Sequence, residues 1–392
     1  MSAAGQSPLD KRSALVFVVA FGIVSLFADA AYEGMRSIAG PFLATLGATG
    51  FAVGVIGGTG ELCGYLLRLG SGRLADSTRA YWPITLAGYV VQMAAVPALA
   101  LAGNWQTAAI LIVIERAGKA IRSPSRDVLL SRAGERIGQG WAFGLHEILD
   151  QVGAMAGPLI AALVLALHHD YRAAFAWLLV PSAITLVLVF ALRFRYRNVG
   201  EIAPASGDAK DLAAPRAFWF YAAASALVAF GFADFTLVSY HFGRAGTVRP
   251  ELIAVFYAAA MGAGGIASLL FGRWFDRVGL KVIYAGIALG LLVAPLAFFG
   301  GFWGALIATL AWGASLGVHE AVMSAAVAGL VPLAARARAY GIFTAIFGIA
   351  WFAGSALLGA LYDVSLVGLV AVATLAQLMA FYPLMLAVRS VR

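Results

Sequence analysis

The chain has 392 residues, 62% hydrophobic and only 12% charged, with a mean hydropathy of +0.89. A soluble domain carries about 25% charged residues, so this composition excludes one and defines a polytopic membrane protein. The net charge of +8 is too dispersed for a nucleic-acid surface, and the single Cys63 excludes an internal disulfide or a cysteine metal cluster.

About 20 apolar residues cross roughly 30 Å of hydrocarbon. Twelve such spans are predicted, at 14–44, 51–71, 82–102, 106–130, 139–167, 172–192, 217–243, 251–271, 281–301, 303–330, 339–362 and 365–388. The polar lead 1–12 ends in Lys11 and Arg12, but the apolar run behind it outlasts a signal peptide and contains Asp29 and Glu33. It reads as span 1. The hydrophilic stretch 193–216 separates six spans from six, giving a bundle at 1–192, a linker at 193–216 and a bundle at 217–392.

With the N-terminus inside, the inner loops and tails hold 18 of the 27 Lys and Arg and the outer loops three. That bias places both termini in the cytoplasm, with the protein in the cell (inner) membrane. The halves also repeat. Gly72-Arg-Leu-Ala-Asp76 recurs as Gly272-Arg-Trp-Phe-Asp276 at an offset of 200, and Phe27-Ala-Asp29 as Phe232-Ala-Asp234 at 205. Gly157-Pro158 and the small residues after them match Gly354 onward at 197.

Span 4 is the unusual one, with Glu115, Arg116, Lys119, Arg122, Arg126 and Asp127. A charge at the centre of a membrane helix costs about 2.5–3.5 kcal/mol, so six need partners or water. Glu115, Lys119, Arg122 and Arg126 recur at i, i+4, i+7 and i+11 and share a face, which is expected to look into a polar cavity. The N-terminal half adds Asp29, Glu33 and Arg36 on span 1, Glu61 and Arg68 on span 2, and Glu147 and Asp150 on span 5. Away from span ends, the C-terminal half has only Asp234 on span 7 and Glu320, beside His319, on span 10. The near-balance of signs in the N-terminal spans points to ion pairs rather than an open anion trap. Lys119 is accordingly expected in a buried pair with a carboxylate of span 1 or 5.

A 6+6 chain with Gly-x-x-x-Asp after spans 2 and 8 resembles the major facilitator superfamily of secondary transporters. Gly272, Asp276, Arg277, Gly279 and Lys281 fit that family's motif, while the first copy has Arg79 where glycine is usual. Gly153-x-x-x-Gly157-Pro158 is similar to the family's antiporter-associated motif, though the spacing is also ordinary helix packing. The resemblance implies an all-α fold of two pseudo-symmetric six-helix bundles. Spans 1, 4, 7 and 10 line the cavity, spans 2, 5, 8 and 11 the interface, and spans 3, 6, 9 and 12 face lipid. These last four carry no Asp, Glu, Lys or Arg inside their ends, as lipid contact requires.

The expected function is transport of a small organic solute by alternating access, proton-coupled and in the direction of efflux, as in an antiporter. No enzyme constellation, metal cluster or cofactor motif is visible, and a proton gradient is the expected energy source. Asp29, Glu33, Arg36, Glu115, Arg116, Lys119, Arg122, Asp234, His319 and Glu320 are candidate cavity residues. Glu33, Glu61, Glu115 and Glu320 are candidates for the coupling proton, Glu61 because an apolar helix desolvates it unless an arginine lies beside it. Arg68, Arg126, Asp127, Glu147, Asp150 and the two Gly-x-x-x-Asp segments are assigned to gating or structure. Trp312, Tyr240, Phe235 and Trp351 are either substrate platforms or plain core. The expected partners are a small-molecule substrate and the bilayer, with a monomer and no nucleic acid. An organic-anion carrier using the basic face of span 4 is the alternative within the class, and a transport-inactive receptor or scaffold the alternative outside it.

Overall fold

The computed structural model describes residues 10–197, 199, 215–332 and 336–390, without the side chains of residues 320, 324, 328 and 337. Most of the predicted linker 193–216 therefore lies outside the described residues. The N-terminal half comprises α1 (Lys11–Thr45), α2 (Gly50–Thr78), α3 (Tyr81–Ala98), α4 (Trp105–Ile137), α5 (Gln139–His168), α6 (Tyr171–Trp177) and α7 (Leu179–Arg195). The C-terminal half comprises α8 (Arg216–Gly231), α9 (Phe235–Arg244), α10 (Pro250–Val278) and α11 (Ile283–Phe299). It ends with α12 (Gly301–Leu330), α13 (Arg336–Val364) and α14 (Leu366–Ser390).

These fourteen helices make twelve membrane spans, because two spans are broken. Among the described residues ten stretches are apolar enough to cross a membrane by length and composition; one of them, Pro250–Phe299, contains both α10 and α11. The charges of α4 keep it outside that set. Span 6 breaks between α6 and α7, where Pro181 has no N–H to offer the carbonyl of Trp177. Span 7 breaks between α8 and α9. There the Asp234 carboxylate accepts the Thr236 N–H at 2.8 Å and caps a new helix. The indole N–H of Trp312 donates to the freed carbonyl of Ala233 at 3.1 Å. Non-helical backbone is tolerated at membrane depth where protein satisfies it in this way.

Gly72–Asp76 and Gly272–Asp276, expected after the ends of spans 2 and 8 at 71 and 271, are helical: α2 continues through the first to Thr78 and α10 through the second to Val278. Both helices end on a residue of positive φ, but the turns differ: Arg79 is left-handed helical at φ 55°, ψ 18°, whereas Gly279 stands at φ 62°, ψ −142°. The first copy thus has a turn of its own, in a conformation that a residue with a Cβ can adopt, and the second has one that favours glycine. Asp76 accepts a hydrogen bond from the Tyr81 hydroxyl at 3.3 Å. Asp276 and Arg277 are exposed and make no ion pair among the described residues.

Within the N-terminal half α1 crosses α5, and Gly153 and Gly157 lie at that crossing. A Cβ on Gly153 would stand 2.2 Å from the carbonyl oxygen of Leu26, and one on Gly157 2.0 Å from that of Ala30. Gly354 on α13 meets the carbonyl of Phe230 on α8 in the same way, at 2.0 Å. The repeated small residues therefore serve the same helix crossing in both halves. Between the halves α2 packs along α13, α5 along α10, and α1 against α9. α14 shows one packed face (Leu369, Ala373, Ala376, Ala380, Leu384) and one exposed apolar face (Val367, Leu375, Met379, Tyr382), as a lipid-facing span should.

Candidate functional site

A cavity of about 270 Å³ lies between the halves. At the face remote from the N-terminus the halves are sealed together. Asp363 of α13 accepts the backbone N–H groups of Gly50 and Phe51, at 2.9 and 2.8 Å, and the Tyr240 hydroxyl donates to the carbonyl of Ala48 at 2.8 Å. The cavity runs from Glu33 and Arg36 toward the N-terminal face, where Arg68 is exposed on its wall.

Its wall from the N-terminal half is charged. Glu61 receives Arg116 at 2.9 Å and Arg36 at 3.4 Å. Arg36 also reaches Asp234, behind the wall on the other half, at 3.5 Å, and lies over the Trp312 ring at 5.7 Å. Two guanidiniums on one carboxylate correct the expectation of a desolvated proton-exchanging Glu61. It is the anchor of an ion cluster that ties α1, α2 and α4 to the break in span 7. Glu33, on α1, has a different environment. It accepts a hydrogen bond from the Tyr257 hydroxyl of α10 at 2.5 Å and has no cation within 4 Å among the described residues. Lys119 also lines the cavity without a carboxylate partner, its ammonium 3.7 Å from the centroid of the Tyr32 ring. The expected buried ion pair at Lys119 is absent among the described residues, because the side chain lies in the cavity rather than between helices.

The shared face of α4 divides in two. Arg116 and Lys119 line the cavity, whereas Glu115 and Arg122 are fully buried and turn to α3. There Gln92 donates to Glu115 at 2.7 Å and accepts from Arg122 at 2.6 Å, and Arg122 donates to the Tyr89 hydroxyl at 3.1 Å. Asp29 lies 3.7 Å from Arg122 and is not on the cavity wall. Glu115, Arg122, Asp29 and Asp234 are therefore structural neighbours of the cavity and not its lining. The physical reason is rotation: residues 115 and 122 stand one turn-step away from 116 and 119, and the amide of Gln92 gives them a partner on α3. Nearer the N-terminal face, Arg126 pairs with adjacent Asp127 at 2.9 Å and reaches Asp150 at 3.9 Å. Asp150 is also 3.5 Å from His146. Glu147, expected to pair with span 4, is exposed and has no ion pair among the described residues.

The wall from the C-terminal half is apolar and aromatic, with Phe232, Leu316, Met323, Phe347 and Trp351 beside His319. Of the four aromatic candidates only Trp351 lines the cavity; Phe235, Tyr240 and Trp312 are fully buried core. The Nδ1 of His319 is 2.8 Å from the carbonyl of Ser315. Glu320 sits on α12, but its side chain lies outside the described residues. Sequence reasoning did not find Tyr257, Tyr32 or Gln92. The available signal was that a tyrosine or glutamine inside a membrane helix needs a polar partner.

The sequence profile of the Major Facilitator Superfamily matches residues 21–264, well over half of the chain. The chain belongs to that superfamily of transporters. Over 384 residues it is 42% identical to an uncharacterised protein of Mycobacterium tuberculosis, covering 96% of this chain and 94% of the other. An uncharacterised MFS-type transporter of Methanocaldococcus jannaschii is 23% identical over 362 residues, 89% of each chain. Among solved structures, the peptide transporter POT superposes with a TM-score of 0.75 at 14% identity, covering 98% of this chain and 99% of that one. An inward-facing, unoccupied bacterial homologue of the lysosomal transporter Spinster gives 0.73 at 14% identity, with 98% of each chain covered. At those identities the likeness concerns the fold alone. The protein is thus a multi-pass membrane transporter with the major facilitator fold.

Proposed function

We propose that the chain exports a small organic solute by alternating access, driven by a proton gradient, with Glu33 as the carboxyl that carries the proton. The observation that carries this is the position of Glu33 on the cavity wall. It is held by a hydroxyl from the opposite half and, among the described residues, by no cation, so taking up a proton does not strand a buried positive charge. Glu61 lacks that freedom. The contact between Glu33 and Tyr257 also joins α1 to α10, so a change in the proton reaches the interface between the halves. The 1–192 and 217–392 bundles are the moving bodies in this reading, with the 193–216 stretch as linker and both termini cytoplasmic in the inner membrane, as the Lys and Arg bias favours. The direction, export, rests on the resemblance of the Gly153–Pro158 segment to the antiporter motif. The protein acts as a monomer, without a cofactor and not as an enzyme.

The test begins with solutes that stabilise the purified protein against heat, since a ligand preferring the native state raises its melting point. Their transport is then measured in proteoliposomes with and without an imposed pH gradient. Glu33→Gln is expected to abolish gradient-driven accumulation and to retain downhill counterflow. If Glu33→Gln accumulates solute as the wild type does, the proton travels by another group or not at all.

A further inference from the structure

We infer that the cavity takes an amphipathic organic anion, an acidic head on Lys119 joined to an aromatic body lying against the wall formed by Phe347 and Trp351. This deepens the transport reading above and rests on it.

Two independent observations meet here. The first is the charge left over once the ion pairs are drawn. Among the described residues the lining carries four cations (Arg36, Arg68, Arg116 and Lys119) against two carboxylates, Glu33 and Glu61. Glu61 is occupied by the two arginines Arg36 and Arg116. Lys119 and Arg68 then have no carboxylate within 4 Å among the described residues. The Tyr32 ring face under the Lys119 ammonium attracts it without neutralising it. An ammonium so placed at membrane depth is stabilised by a mobile counter-ion, and a ligand carboxylate supplies one. Arg68 at the exposed end adds a positive approach for the same ligand. The near-balance of charges along the spans therefore does not hold among the described residues of the wall itself.

The second observation lies on the opposite wall, which has no charged side chain among the residues described there. Phe347 and Trp351 are neighbours, with ring centroids 5.7 Å apart, and both line the cavity. The indole Nε1 of Trp351 and the Nε2 of His319 are both buried without a hydrogen-bond partner. With the His319 Nδ1–H given to the Ser315 carbonyl, the free Nε2 is an acceptor, while the indole N–H is a donor. Buried polar atoms of this kind are normally satisfied, so each leaves hydrogen-bonding capacity for a polar substituent, such as a hydroxyl, on the ligand's ring.

The test compares three probes on the purified wild-type protein in detergent: 6-hydroxy-2-naphthoate, its neutral carboxamide, and the corresponding aminomethyl cation. Titration calorimetry and the shift in melting temperature are the readouts. The carboxylate is expected to bind saturably and at least about tenfold more tightly than the amide, with the cation weaker still. Lys119→Ala is expected to weaken carboxylate binding about tenfold and to leave the amide unchanged. Absence of saturable carboxylate binding, equal binding of carboxylate and amide, or preference for the cation would each overturn the inference. The comparison of the three probes needs no variant, so a poorly folded Lys119→Ala protein does not rescue it. If the naphthoate binds in detergent but is not moved by a gradient in proteoliposomes, the coupling reading fails and the ligand class stands. If the solute carried under a gradient proves to be a cation, the ligand class fails and the coupling reading stands.

Discussion

Three side chains on one cavity wall show how little residue type says about role. Glu33 and Glu61 are both glutamates in apolar helices, yet one meets a hydroxyl and the other two guanidiniums. Removing one partner of a buried ion cluster costs about 3–5 kcal/mol, because the survivors are left uncompensated. Glu61 borders a cavity, so Glu61→Gln is expected near the low end, about 3 kcal/mol. Glu33→Gln keeps an acceptor for the Tyr257 hydroxyl and is expected to cost about 1 kcal/mol. Thermal or denaturant unfolding in the same detergent measures both; equal losses would mean that the two environments do not differ. The same contrast separates the cations of α4. Arg122 is fully buried among Gln92, Tyr89 and Asp29, and Arg122→Ala is expected to cost about 3–5 kcal/mol. Lys119→Ala loses only a ring contact, worth about 1 kcal/mol. It should alter ligand binding far more than unfolding.

At the scale of helices, glycine positions divide into those that fix a crossing and those that do not. The α1–α5 crossing depends on Gly157, where a methyl group would stand 2.0 Å from a backbone oxygen. Backbone cannot swing aside as a side chain can, so Gly157→Ala is expected to destabilise by about 1–3 kcal/mol. Gly354→Ala should behave alike at the equivalent crossing of α8 and α13. Gly72 and Gly272 are different. The nearest atom to a Gly72 Cβ is 3.6 Å away on Pro124, and Gly272 has nothing within 4 Å. Alanine at either is expected to leave stability unchanged or raise it by up to about 1 kcal/mol, measured as a shift in melting temperature. A large loss at Gly72 or a neutral change at Gly157 would contradict the packing described.

For the whole molecule, the seal at the face remote from the N-terminus rests on a few polar contacts between halves. Asp363 caps the start of α2 across that interface. A cap of this kind contributes about 1 kcal/mol, which corresponds to about a fivefold change in an equilibrium between closed and open forms. Asp363→Ala is therefore expected to raise several-fold the rate at which a maleimide labels a cysteine introduced by Ala48→Cys, in a Cys63→Ser background. An unchanged rate would show that the seal is held elsewhere.

The sequence by itself determined the membrane class, the twelve spans and the repeat, while the family resemblance supplied the four lipid-facing helices and their lack of charge agreed with it. The class and the spans follow from costs that are local and one-dimensional. A charge cannot face hydrocarbon, and about 20 residues are needed to cross it. The family resemblance rested on the same kind of signal, the Gly-x-x-x-Asp segments of residues 72–76 and 272–276. What the tertiary structure decided is which charge meets which. Helical periodicity placed Glu115, Lys119 and Arg122 on one broad face, but whether a side chain at its edge enters the cavity or turns to α3 depends on the rotation of α4. That rotation is fixed by close packing, where a Cβ on Gly118 would meet the backbone of Gln92 at 2.6 Å. The break in span 7 was equally invisible, since it is stabilised by a tryptophan almost 80 residues away. Partners so distant in the chain leave no local pattern, and it is those partners that separate Glu33 from Glu61 and leave Lys119 with its charge exposed to the cavity.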